Sequence, residues 1–166
     1  MANSLKKEVE QSFKELISLL STVDKKKFNT VPFEGSWTAG QLADHLFKSY
    51  DVVNVLQGNT QVPKRPYDEK VQGIKEVFLN FKTKMKSPDF IIPSDEAIDK
   101  ERMLRGLGTR TSAIVQIADE DDLSLLCLDF EFPDSGPLTR FEWISFINFH
   151  TMRHNHQLKK ILNQLN

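Results

Sequence analysis

The 166-residue chain has a single cysteine, Cys127, so no internal disulfide can hold it together. Cys127 lies in the apolar run Leu125–Leu128, which reads as a buried, inert thiol rather than a reactive one. That usage suits a reducing, cytoplasmic setting. Net charge is also nearly absent: 22 basic against 23 acidic side chains leave a formal charge of -1. No long-range field exists to gather nucleic acid or an anionic membrane, so neither is expected as a partner. No window approaches the roughly 18 uninterrupted apolar residues that span a bilayer. No apolar h-region follows Met1, so no signal peptide is expected. No repeat, low-complexity tract or long linker divides the chain, and residues 1–166 read as a single domain.

What is present is helical periodicity. Leu5, Val9, Phe13, Ile17 and Leu20 recur at spacings of three and four, which predicts an amphipathic helix over 4–22. Residues 23–37, with Pro32 and Gly35, read as a loop. Thr38 and Gln41 then form a capping box and open a second helix that runs to about Leu56, where Gly58 and Asn59 stop it. Residues 59–67, with two prolines, read as a linker. A third helical pattern runs from Asp68 to about Lys84. After the proline-flanked segment 87–94, Ser94 is expected to cap a fourth helix reaching about Ala118. Gly106 and Gly108 weaken that helix or mark the close approach of another. Residues 124–132 alternate in part and read as a short strand or extended arm, and 133–137 is a turn cluster. A second capping box, Thr139 with Glu142, opens the last helix, expected over 139–164. The sum is an all-α protein: a four-helix bundle with one short extra helix and an extended arm before the last helix.

The last helix carries the chemistry. His150 and His154 are four apart, one turn along the same face. That face also holds Trp143, Ile147, Leu158, Ile161 and Leu165, so the pair belongs to the inward row. His45 lies on the apolar stripe of the second helix. A polar ring on such a stripe needs a partner, and a shared metal ion would supply one. His156 falls about 200° round from His154 and is expected to be exposed. Spacing alone leaves core hydrogen bonds or a solvated face open as alternatives. Protease chemistry is disfavoured, because Thr151 stands where a zincin helix carries its glutamate base.

The segments Ser36-Trp37-Thr38-Ala39-Gly40-Gln41-Leu42-Ala43-Asp44-His45-Leu46 and Gly136-Pro137-Leu138-Thr139, followed by Glu142-Trp143 and His150-x-x-Arg153-His154-x-x-Gln157-Leu158, together resemble the two signatures of the DinB/YfiT-like family. The resemblance extends over most of the chain. It implies an up-down-down-up four-helix bundle and one divalent metal ion, zinc or nickel, held by His45, His150 and His154. It also implies a homodimer. Members include thiol transferases acting on low-molecular-weight thiols and hydrolases, so a small-molecule substrate is expected.

Three nitrogen ligands would leave a coordination position open, as in catalytic zinc sites. A water there would be acidified, or a substrate thiol would become thiolate, and the same ligands serve both. Around them, Gln157 is expected to pack or cap locally and Arg153 to pair with an acid on another helix. Asp44 points away from the His45 ring, and no glutamate stands out as a general base. Trp37 and Trp143 read as structural, with a place in a substrate mouth as the alternative. Three functions remain open: a metal-dependent transferase or hydrolase, a non-enzymatic bundle whose metal is structural, and a helical interaction module with core histidines. The loops 23–37, 58–67 and 119–137 would select any substrate.

Overall fold

A computed structural model describes residues 2–166. Its first helix, α1 (Ala2–Ser21), buries Leu5, Val9, Phe13, Leu16 and Leu20 along one face. The second long segment is α2 (Ala39–Ser49), continued by a 3-10 turn at Tyr50–Val52 and a last turn, α3 (Val53–Leu56). Its capping box is formed as expected: the Thr38 hydroxyl accepts from the Gln41 amide at 3.0 Å, and the Gln41 side chain accepts from the Thr38 amide at 3.1 Å. The other elements are β1 (Thr60–Gln61), α4 (Val71–Phe78), a 3-10 turn at Asp89–Ile91, α5 (Lys100–Glu120), β2 (Leu126–Cys127) and α6 (Arg140–Leu165).

Side-chain pairs give the directions of the four long helices. Ser12 meets Asn148 and Glu15 meets Lys159, so α1 and α6 run parallel. Lys6 pairs with Asp119 while Lys100 reaches the carbonyls of Ser21 and Val23, so α5 runs opposite to α1. Phe47 lies against Gly106 and Asp51 pairs with Arg110, so α2 and α5 are parallel. His45 meets His154 while Leu56 receives Arg140, so α2 and α6 are antiparallel. The topology is up-down-down-up. The short extra helix is α4, which lies across α6.

Several boundaries differ from the expectation. The third helix is two turns long rather than four, ending at Phe78. There the Arg153 guanidinium donates to the carbonyls of Phe78 and Asn80, at 3.3 and 2.9 Å, and to that of Thr83. Arg153 therefore caps a helix end instead of pairing with an acid, because free C-terminal carbonyls attract a cation as an acidic side chain does. The fourth helix starts at Lys100, capped by Asp99, whose carboxylate accepts from the Arg102 amide at 2.8 Å. Ser94 caps only a local turn, receiving the Glu96 amide. Gly106 does mark a close approach: a Cβ there would stand 2.8 Å from the Phe47 ring, whereas Gly108 faces open space. The extended arm forms a strand over Leu126–Cys127, antiparallel to Thr60–Gln61 in the segment expected to be a linker, with single bridges from Leu126 to Thr139 and from Phe132 to Gly136. Burial lifts the Cys127 thiol to about 11, which makes it inert at neutral pH.

The α6 capping box is reinforced from outside. The Glu142 carboxylate is fully buried and accepts both Arg65 guanidinium nitrogens, at 2.6 and 2.7 Å. It also accepts the Lys70 and Thr139 amides, each at 2.9 Å. Four donors satisfy this buried charge and tie the 65–70 segment to the start of α6.

Candidate metal centre

His45, His150 and His154 converge between α2 and α6. All three are buried, with 1%, 5% and 7% of their surfaces exposed. The capping boxes set this up from either end. Each fixes where its helix begins, and so which residues of the 3.6-residue period face the partner helix.

The ring nitrogens meet in one place. His150 Nε2 lies 3.1 Å from His45 Nε2 and 3.0 Å from His154 Nε2. His45 Nδ1 is 2.8 Å from the Ile91 carbonyl, which can only accept, so that nitrogen carries the proton and Nε2 keeps its lone pair. His154 Nδ1 faces Gln157 Oε1 at 2.8 Å, which assigns the same tautomer there. A neutral His150 has one proton. On Nε2 it would satisfy one neighbour and leave the other bare. On Nδ1 it would meet nothing, because that buried nitrogen has no partner. Every neutral tautomer therefore strands a buried polar atom.

Protonation does not resolve the conflict. Burial lowers the proton affinity of all three rings. His154 falls to about 3, through burial first and the neighbouring His45 second. His150 falls well below the ordinary imidazole range, through burial and then its two neighbours. His45 is lowered by burial, against the opposing effects of the Ile91 hydrogen bond and Asp44. Three convergent lone pairs on rings that resist a proton suit a different electrophile. Nitrogens each about 2.0–2.1 Å from one zinc ion stand about 3.0–3.4 Å apart, which the observed spacings match. The three rings are also the described residues' group of histidine, cysteine or carboxylate side chains close enough to share an ion.

Aromatic rings wall the cluster. Trp37 packs on His45 at 4.9 Å between ring centres and lies nearly parallel to His154 at 6.1 Å. Phe146 stacks on His150 at 5.2 Å, with Phe78 edge-on at 5.8 Å. Trp37 thus holds a place at the site rather than a purely structural one. Gln157 orients a histidine instead of packing locally. Sequence could have hinted at this, since three residues on a helix bring it beside His154.

Asp44 does point away, accepting the Ser94 amide at 2.8 Å and pairing with Lys48 at 3.0 Å. His156 lies outside the cluster but is half-buried, stacked on Phe81 at 4.3 Å rather than fully exposed. Ile91 was not foreseen. Its backbone carbonyl does the work, and a backbone group leaves no signal in the side-chain sequence.

Comparison with known proteins places this arrangement. The DinB superfamily model matches residues 8–158, and the chain belongs to that superfamily. YuaE of Bacillus subtilis strain 168 is 29% identical over 146 residues, covering 86% of this chain and 87% of YuaE. Among solved structures, the four-helix bundle protein TT2238 aligns with a TM-score of 0.58 at 18% identity, over 96% of this chain and 99% of its own. Bacillus subtilis YfiT, described as a probable metal-dependent hydrolase with an unusual four-helix bundle topology, aligns with a TM-score of 0.59 at 16% identity, over 98% of this chain and 86% of its own. At those identities the likeness concerns the fold. No helix of the described residues is long and apolar enough to cross a membrane.

Proposed function

We propose that the chain is a metal-dependent enzyme that holds one divalent ion, zinc or nickel, on Nε2 of His45, His150 and His154 and acts there on a small molecule. The observation that carries this is the convergence of three buried Nε2 atoms that no set of neutral tautomers satisfies completely. When bound, the ion would supply Lewis acidity at a position that the three nitrogens leave free. The chain's own residues do the rest. Ile91 and Gln157 hold two imidazoles in the ligating tautomer. Trp37, Phe78 and Phe146 exclude water from the rings.

The description of YfiT favours hydrolysis, and the family resemblance keeps transfer to a low-molecular-weight thiol as the second chemistry. A structural metal fits less well, because closed sites normally use four protein ligands and a fourth histidine, cysteine or carboxylate does not join this group among the described residues. A cytoplasmic homodimer of one-domain chains completes the proposal. Elemental analysis of untagged protein tests the core of it: about one equivalent of zinc or nickel supports it, and less than about 0.2 equivalent with no gain in melting temperature on adding either metal overturns it. Light scattering tests the dimer.

A further inference from the structure

Aromatic rings continue outward from the metal centre along α6. His150 stacks on the half-buried Phe146. Phe146 meets Phe132 at 4.9 Å, and Phe132 meets Trp143 at 5.6 Å. Trp143 meets Phe130 at 6.1 Å, and Phe130 meets Phe90 at 5.7 Å. The last two rings come from different connections and end in solvent, with Phe130 40% and Phe90 63% exposed. Phe90 precedes Ile91, whose carbonyl orients His45, so this outer ring sits on the segment that holds one of the histidines, and Phe130 packs on it from the connection before α6. Phe130 and Phe90 pack on each other and keep large faces toward solvent, so the row ends in an exposed aromatic pair.

Charge recognition has little to work with here. Arg65 is committed to Glu142, Arg153 to three backbone carbonyls, and Lys48 to Asp44 and the Ile92 carbonyl. These cations are spent on the fold rather than held for a phosphate or a multiply charged acid. The indole N–H of Trp143, buried within the row, has no acceptor. The exposed end of the row, Phe130 and Phe90, is aromatic, with the exposed carboxylates of Asp89, Asp129 and Glu131 beside it in sequence.

Resting on the metal reading above, we infer that the substrate of this site carries an aromatic or similarly flat apolar body, which lies against Phe130 and Phe90 while its reactive end reaches the histidine centre. Edge-to-face and offset contacts with such rings reward a flat body beyond the area it covers.

The test uses cobalt-loaded, full-length protein and two probes with the same metal-binding head, acetohydroxamic acid and phenylacetohydroxamic acid. Binding is read from the visible cobalt bands. Phenylacetohydroxamic acid is expected to bind at least about tenfold tighter. Phe130→Ala and Phe90→Ala, both at exposed positions, are expected to cut that preference below about threefold while leaving cobalt stoichiometry and acetohydroxamic acid affinity unchanged. Equal binding of the two probes, or a preference that survives both substitutions, overturns the inference and leaves the metal reading standing. Failure to take up cobalt overturns the metal reading itself, and this inference with it.

Discussion

Helix α6 buries two sets of polar side chains, and they are treated in opposite ways. Asn148, Thr151 and Asn155 face α1 and the end of the second segment. Asn148 accepts the Ser12 hydroxyl at 2.5 Å, Thr151 shares a 2.6 Å hydrogen bond with the buried Tyr50 hydroxyl, and Asn155 donates to the Ser12 carbonyl at 3.0 Å. Almost every group in this set finds a partner in the chain, the Asn155 carbonyl oxygen being the exception. Burial raises the Tyr50 phenol well above its usual range, so it stays a neutral partner. On the adjacent face His154 satisfies only its Nδ1, through Gln157, while its Nε2 meets that of His150, whose Nδ1 has no partner. The first set is complete as folded and specifies how α1 and α6 pack. No neutral tautomer completes the second. Burial is alike in both sets, so satisfaction rather than burial separates them.

Breaking the second set should cost most. His150→Ala should weaken zinc or nickel binding by about three orders of magnitude in a competition titration with a chelator. His156→Ala should leave the affinity unchanged, since that ring packs on Phe81. Retained metal in His150→Ala would dissolve the distinction between the sets. Gln157→Leu keeps the volume but removes the acceptor that fixes the His154 tautomer, and should weaken metal binding by about 10–100-fold in the same titration.

Acid should separate the sets as well. In the metal-free protein the folded histidines bind protons less readily than unfolded ones, so between the two pKa values the unfolded chain holds more protons. Their contribution to stability is fully present above about pH 6.5 and is lost as pH falls towards about 3, the folded value of His154. Each such histidine should contribute a slope of up to about 1.4 kcal/mol per pH unit, measured by urea unfolding across that window. His154→Gln should flatten the curve, whereas Ser12→Ala should only shift it downward. The smallest effect belongs to the satisfied set. Tyr50→Phe leaves Thr151 without its partner and should cost about 1–2 kcal/mol in urea unfolding with metal affinity unchanged.

Much of this was legible in residue order. Thr38 with Gln41 and Thr139 with Glu142 announced two helix starts, because a cap and its reciprocal partner lie within four residues of each other. The 150/154 spacing placed two histidines on one face for the same local reason. The apolar stripe of the second helix offered His45 as the third histidine, and the family motifs carried the topology. Legibility faded where the deciding partner was distant. The third helix looked four turns long from its apolar spacing, but Arg153, more than 70 residues on, takes the carbonyls just beyond Phe78. Ser94 was the expected cap of the fourth helix, but the Asp44 carboxylate takes its amide and Asp99 caps the helix five residues later.

The sequence by itself determined the helical period, the capping boxes and the inward row on which His45, His150 and His154 lie, since each depends on neighbours within about one or two turns. Only the tertiary structure decided that His150 Nε2 lies within about 3 Å of Nε2 of both His45 and His154, with the tautomers of those two set by Ile91 and Gln157. It likewise decided that Trp37 and Phe146 enclose them. A lone pair's direction depends on what the opposite ring nitrogen bonds, and for His45 that partner is a backbone carbonyl 46 residues away.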